Sequence, residues 1–121
     1  MSRFDELRDI GPLPIWEGIV ARNVAGEQMN MAIVELDPGA VAAEHSHPNE
    51  QLGFVIAGSI TFRIGDETRE LGPGATYAIP GSVAHEATAG PEGCVVMDAF
   101  APPRDDWERF TPQEPRPPRW P

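Results

Sequence analysis

Lysine is absent from this chain, and its nine basic residues are all arginine. Set against 19 acidic residues, they leave a formal net charge of −10 over 121 residues. A surface of that sign repels phosphate backbones and anionic lipid headgroups, so nucleic acid and membrane are not expected partners. Cysteine is scarce as well. Cys94 stands alone, which excludes an internal disulfide, and the polar, acidic opening Met-Ser-Arg-Phe-Asp-Glu-Leu-Arg-Asp lacks the apolar stretch of an export signal. Both points place the chain, as an expectation, in a reducing cytoplasm. No apolar run approaches the roughly 18 residues that a membrane-spanning helix needs. Uninterrupted helical patterns of a dozen residues are missing too.

Proline and glycine are plentiful, at 14 and 12 residues. They cut the apolar residues into short runs, the pattern of an all-β sandwich or barrel. The expected strands are Ile15 to Val24 with a break at Gly18, Met29 to Leu36, and Gln51 to Ala57 ending at Gly58. A hairpin from Ile60 to Leu71 turns at Gly65-Asp66. Ala75 to Ile79, His85 to Ala89 and Cys94 to Ala101 complete the set. This core spans residues 15–110. Residues 1–14 form a polar arm with one short helical turn around Phe4 to Arg8. Residues 111–121 hold five prolines and read as a polyproline-like or disordered tail.

There are only three histidines. His45 and His47 stand two apart, a spacing that on a strand sends both imidazoles to one face. His85 lies on a later strand that a barrel can bring to the same interior point. Three imidazoles and one side-chain oxygen would then make a first-row metal site with room for solvent or substrate. The competing reading is three ordinary surface or core histidines.

Gly39-x5-His45-x-His47-x3-Gln51-x6-Gly58 resembles the first signature of the cupin superfamily, G-x5-H-x-H-x3,4-E-x6-G. Gly74-x5-Pro80-x-Ser82-x2-His85 resembles the second, G-x5-P-x-G-x2-H-x3-N. The resemblance implies an antiparallel jelly-roll barrel, the double-stranded β-helix. It also implies one divalent metal ion (Ni, Zn, Mn or Fe) held by His45, His47, Gln51 and His85. Three positions depart from the signatures: Gln51 replaces a glutamate, Ser82 a glycine, and Ala89 a frequent asparagine. A neutral amide at 51 leaves the ion's charge uncompensated, which favours Lewis-acid work on an anionic substrate over oxygen activation.

Asp98 and Phe100 share one face of the last strand, and Arg104 follows Pro102-Pro103. A guanidinium can grip a carboxylate with two parallel hydrogen bonds, and Asp98 can move a proton. The alternative is a structural ion pair between Asp98 and Arg104, or a solvated Arg104. The stretches HSHPNEQLGFVIAG, LGPGATYAIPGSVAH and MDAFAPPRDDW resemble small single-domain cupins of the pectin-degradation type. Those enzymes convert 4,5-unsaturated uronates to linear keto sugar acids. The resemblance implies catalytic roles for Asp98, Phe100 and Arg104 and a small carboxylate substrate. It departs at Gly53, where that group carries a second glutamine.

Leu52, Phe54 and Ile56 make the strand from Gln51 apolar on its outer face as well. Another sheet or another chain must cover such a face, and a homodimer is the expected solution, with Ile15, Trp16 and Ile19 as candidates for the same interface. Cys94 reads as a small buried filler. Glu44, Glu50 and Glu86 have the parity of exposed residues, and the side to which Tyr77 points is undecided across the Pro80-Gly81 turn. The favoured function is metal-dependent conversion of an unsaturated or keto sugar acid. The alternatives are a metal-dependent dioxygenase and a non-catalytic binder of small acids.

Overall fold

The computed structural model describes residues 2–121. Eight strands make up the fold: β1 (Leu13–Trp16), β2 (Ile19–Ala25), β3 (Asn30–Leu36), β4 (Val41–His45), β5 (Glu50–Ile64), β6 (Glu67–Leu71), β7 (Thr76–Ile79) and β8 (His85–Ala101). Two short 3₁₀ turns, Leu7–Asp9 and Asp105–Arg109, are the helical content among the described residues. The first replaces the turn expected around Phe4 to Arg8.

All pairings are antiparallel, and β5 and β8 run alongside each other from Glu50↔Ala101 to Ile64↔His85. The first half of β5 takes β7 on its other side, and the last half of β8 takes β3, followed by β2 and β1. Beyond the middle, the second half of β5 takes β6 and the first half of β8 takes β4. Two sheets therefore share two long strands, and the result is an all-β jelly-roll barrel. The core between the sheets includes Ile19, Val34, Leu36, Val55, Ile60, Phe62, Ile79 and Val96.

The sequence divides β5 at Gly58 and β8 at Gly90 to Gly93, but both strands run through. Glycine has two readings here, a strand end or a bulge within a strand. Gly58 and Gly93 have φ of 76° and 79°, and the β5–β8 register slips on either side of Gly58. A Cβ at Gly58 would strike the Gly93 carbonyl and stand 3.0 Å from the Cα of Cys94. The two strands bend together where two glycine backbones touch.

Residues 111–121 lie against the outer side of β2 and β3. Gln113 N–H donates to the Pro12 carbonyl at 2.8 Å. Arg22 is fully buried in an ion pair with Glu35. It donates to the Arg116 carbonyl at 3.0 Å, while the Arg119 N–H donates to Glu35 at 3.1 Å.

Candidate active site

The sheet rows dictate which side chains meet. One row runs Asn30–Phe100–Gln51–Ile79, and another runs Ala32–Asp98–Gly53–Tyr77. All of these side chains except the glycine are buried, facing inward. His85 enters from the other half of β8, and the register pairs it with His45 on β4. His47 does not share that strand: β4 slips register after Ala42 and ends at His45. His47 sits in the following loop, yet its ring lies 4.9 Å from that of His85 and 5.9 Å from that of His45. Each histidine offers one ring nitrogen, and the three nitrogens lie within 4.8 Å of one another.

Each ring is oriented in the same manner. Nδ1 of His45 faces the Ala43 carbonyl at 2.7 Å, Nδ1 of His47 the Asn49 carbonyl at 3.0 Å, and Nδ1 of His85 the Val83 carbonyl at 2.8 Å. A carbonyl oxygen can only accept, so Nδ1 carries the proton and the neutral ring presents Nε2 as a bare lone pair. The His85 Nε2 is buried with no partner. The His47 Nε2 faces Gln51 Oε1 at 3.1 Å, so two acceptors point at one spot. Burial lowers the pKa of His47, and lowers that of His85 to about 4, so a proton is a poor way to reconcile them. A divalent cation satisfies all of these lone pairs, and the donor set of three imidazoles and one amide oxygen suits a borderline first-row ion.

Beside these side chains is a cavity of about 70 Å³ bordered by His45, Gln51, His85, Asp98, Phe100 and Arg104, room for several waters. Asp98 is pushed up to a pKa of about 6 by burial, against the downward pull of hydrogen bonds from Tyr77 and Gln51 and the charge of Arg104. Arg104 does not pair with Asp98. Its Nε and Nη2 each lie 2.9 Å from the two oxygens of Asp106, a forked pair that holds the Asp106 carboxyl below its usual pKa. The guanidinium also stacks 4.9 Å from the Phe100 ring and 5.0 Å from that of Trp107. Two asparagines hold the loop before it. Asn30 Oδ1 accepts from the Arg104 N–H at 2.8 Å, and Asn49 Nδ2 donates to the Pro102 carbonyl at 2.6 Å.

Several of these groups escaped the sequence reading. Asn49 and Asp106 act through loop geometry that carries no spacing signature, and Asn30 on β3 and Tyr77 on β7 become placeable only through their register with Phe100 and Gly53. Trp16, Ile15 and Ile19 line the cavity rather than an outer interface. The Gly18 turn folds β1 back on β2, which sets the Trp16 ring 5.2 Å from that of His45. Glu44 and Glu86 both pair with Arg63 at the surface.

Residues 32–100 match the family model described as the cupin domain. A pectin degradation protein, KdgF, of Dickeya dadantii is 32% identical over 82 residues, covering 67% of this chain and 74% of that protein. The structure of KdgF from Halomonas sp. superposes with a TM-score of 0.80 at 30% identity, over 88% of this chain and 98% of that one. A cupin of the RmlC-like type from Shewanella frigidimarina shares the fold, with a TM-score of 0.81 at 22% identity over 88% and 96% of the two chains. The metal-ready histidine triad, the shared-strand barrel and these relatives agree: the chain belongs to the cupin family, in the company of the KdgF-like cupins.

Proposed function

We propose that this cupin is a divalent-metal enzyme that converts a small unsaturated uronate to its linear keto acid. The observation that carries the reading is the convergence of Asp98, Phe100 and Arg104 on the cavity bordered by the histidine–glutamine cluster. His45, His47, Gln51 and His85 would hold the ion. When bound, the ion supplies Lewis-acid polarisation of substrate oxygens.

The chain's own groups perform the remaining steps. Arg104 offers its fork to the substrate carboxylate, which exchanges with Asp106 for the same two N–H donors. Phe100 forms an apolar wall, and with Trp107 it fixes the guanidinium plane through stacking. Asp98 moves the proton. Opening the hemiacetal ring removes a proton from the C1 hydroxyl, breaks the bond between C1 and the ring oxygen, and leaves an enolate across C4 and C5 with its charge on the former ring oxygen. Returning a proton to C4 gives the C5 ketone, so the change is an isomerisation with no net gain or loss of atoms. The raised pKa of Asp98 suits a group that both takes and gives a proton near neutral pH.

A screen of unsaturated uronates with the metal-loaded protein tests this reading. The conjugated absorbance should disappear in a metal-dependent reaction, and Asp98→Asn should lower kcat by about 10²- to 10⁴-fold. Oxygen uptake with a phenolic or thiol substrate, with the uronates left untouched, would replace it with the dioxygenase reading. We also propose a homodimer. Leu52, Phe54 and Met31, exposed by 50%, 39% and 47% on the outer side of the β3–β8–β5–β7 sheet, would be covered by a second copy.

A further inference from the structure

We propose that Tyr77 is the positioning residue for Asp98, and that glycine at position 53 is what admits it. The two residues sit on β7 and β8 with one strand between them, and on that strand, β5, both register with Gly53. Side chains two strands apart do not ordinarily meet, because the residue between them fills the gap. Here the gap is open. A Cβ at position 53 would stand 2.6 Å from Cε1 and Cζ of the Tyr77 ring and would strike the Asp98 carboxylate. The phenol passes over the bare glycine, and its hydroxyl donates to Asp98 Oδ1 at 2.5 Å. Gly53 has no left-handed backbone to accommodate, so the requirement is space alone.

The rest of the environment fits a fixed tether. Tyr77 is 8% exposed, with its ring 4.6 Å from that of Phe62, so the phenol cannot swing away without disturbing the core. Burial and the neighbouring carboxylate push its pKa well above the ordinary tyrosine value, which keeps it a donor across the working pH range. A short bond to one carboxylate oxygen fixes the rotation of Asp98 about its χ2 axis, which a sp³–sp² torsion otherwise leaves broad. Oriented in this way, the carboxylate presents a constant face to the cavity. The Tyr77 hydroxyl bonds to Asp98 and to none of the four proposed ligands, so Tyr77 acts on the site through Asp98.

This inference rests on the uronate reading for its kinetic arm and is independent of it for its spectroscopic arm. Tyr77 is the chain's one tyrosine, so protein grown on tyrosine labelled with ¹³C at Cζ gives a single resonance. Replacing Asp98 by alanine should move that resonance clearly, whatever the enzyme turns over. An unmoved resonance in a folded Asp98→Ala protein overturns the assignment.

In the kinetic arm, Tyr77→Phe keeps the ring packed on Phe62 and loses only the donor. Its kcat should fall by about 10- to 100-fold, the range for an outer partner of an active group. KM and metal affinity should stay within about twofold, as expected of a transition-state effect. The same substitution in an Asp98→Asn background should cost little more, because the two residues act as one unit. Gly53→Ala should reproduce the loss by blocking the phenol's path. Additive losses, a changed metal affinity at constant kcat, or a silent Gly53→Ala would each overturn the proposal. Absence of uronate turnover in the wild-type protein would instead remove the functional reading and leave the labelled resonance to decide this one.

Discussion

Ser82 holds a left-handed backbone, φ 66°, at the position where the second cupin signature carries glycine. For a residue with a Cβ that conformation costs roughly 1–2 kcal/mol, partly offset because a glycine gives up more freedom on folding. The strain lies next to the site, since the Ser82 N–H donates to the His47 carbonyl at 2.8 Å. Ser82→Gly should therefore raise the unfolding free energy by up to about 1 kcal/mol, read as a higher urea midpoint at unchanged m-value. The motif's spacing made the need for a glycine-like turn legible even though the glycine is missing. The same spacing singled out His45, His47, Gln51 and His85, and the structure brings the three histidines together with Gln51 beside His47. Tyr77 was not legible in that way. Its role depends on which residue of β5 lies beside it, and sequence alone does not give register across Pro80-Gly81.

At the scale of elements, the proline-rich end changes character. Its composition reads as a polyproline-like or disordered tail, whereas residues 111–121 form a strap over β2 and β3, held at Pro12, Arg22, Glu35 and Leu36. The signal for this was Arg22 and Glu35. Each sits on a strand otherwise rich in apolar residues, and a fully buried arginine must find partners. A chain ending at Thr111 loses those hydrogen bonds and opens the ion pair to water. It should unfold about 2–4 kcal/mol more easily, from three or four bonds of about 0.5–1.5 kcal/mol each, as measured by chemical denaturation. An unchanged midpoint would show the strap to be ornamental to stability. The strand breaks expected at Gly58 and Gly90 to Gly93 failed for a related reason. Glycine marks a change of direction, and only the pairing partner decides whether the strand stops there or bends.

At the scale of the molecule, the apolar outer face of the β3–β8–β5–β7 sheet sets the next prediction. Its rows place Met31 and Leu52 on either side of Ala99, and Ile33 and Phe54 on either side of Met97. Alternation on β5 made this face legible in the sequence. The assignment of Trp16 to it failed, because the hairpin at Gly18 turns that residue toward His45. If a second copy covers the face, sedimentation should find a dimer. Phe54→Glu should make it monomeric while leaving the histidine cluster able to load metal, since residue 54 points away from the barrel. A monomeric wild-type protein would overturn the dimer.

The shared strands have one more consequence. His45 and His85 lie on the sheet completed by β4, whereas Gln51 belongs to the half of β5 that pairs with β7. A single ion held by all of them, as proposed, would be a staple between the two faces of the sandwich, tying together segments 40 residues apart from His45 to His85. In a chain whose lone cysteine is buried, metal ligation would take on the cross-linking work that a disulfide does in another small barrel. Removing such an ion would then loosen the very walls that shape the pocket.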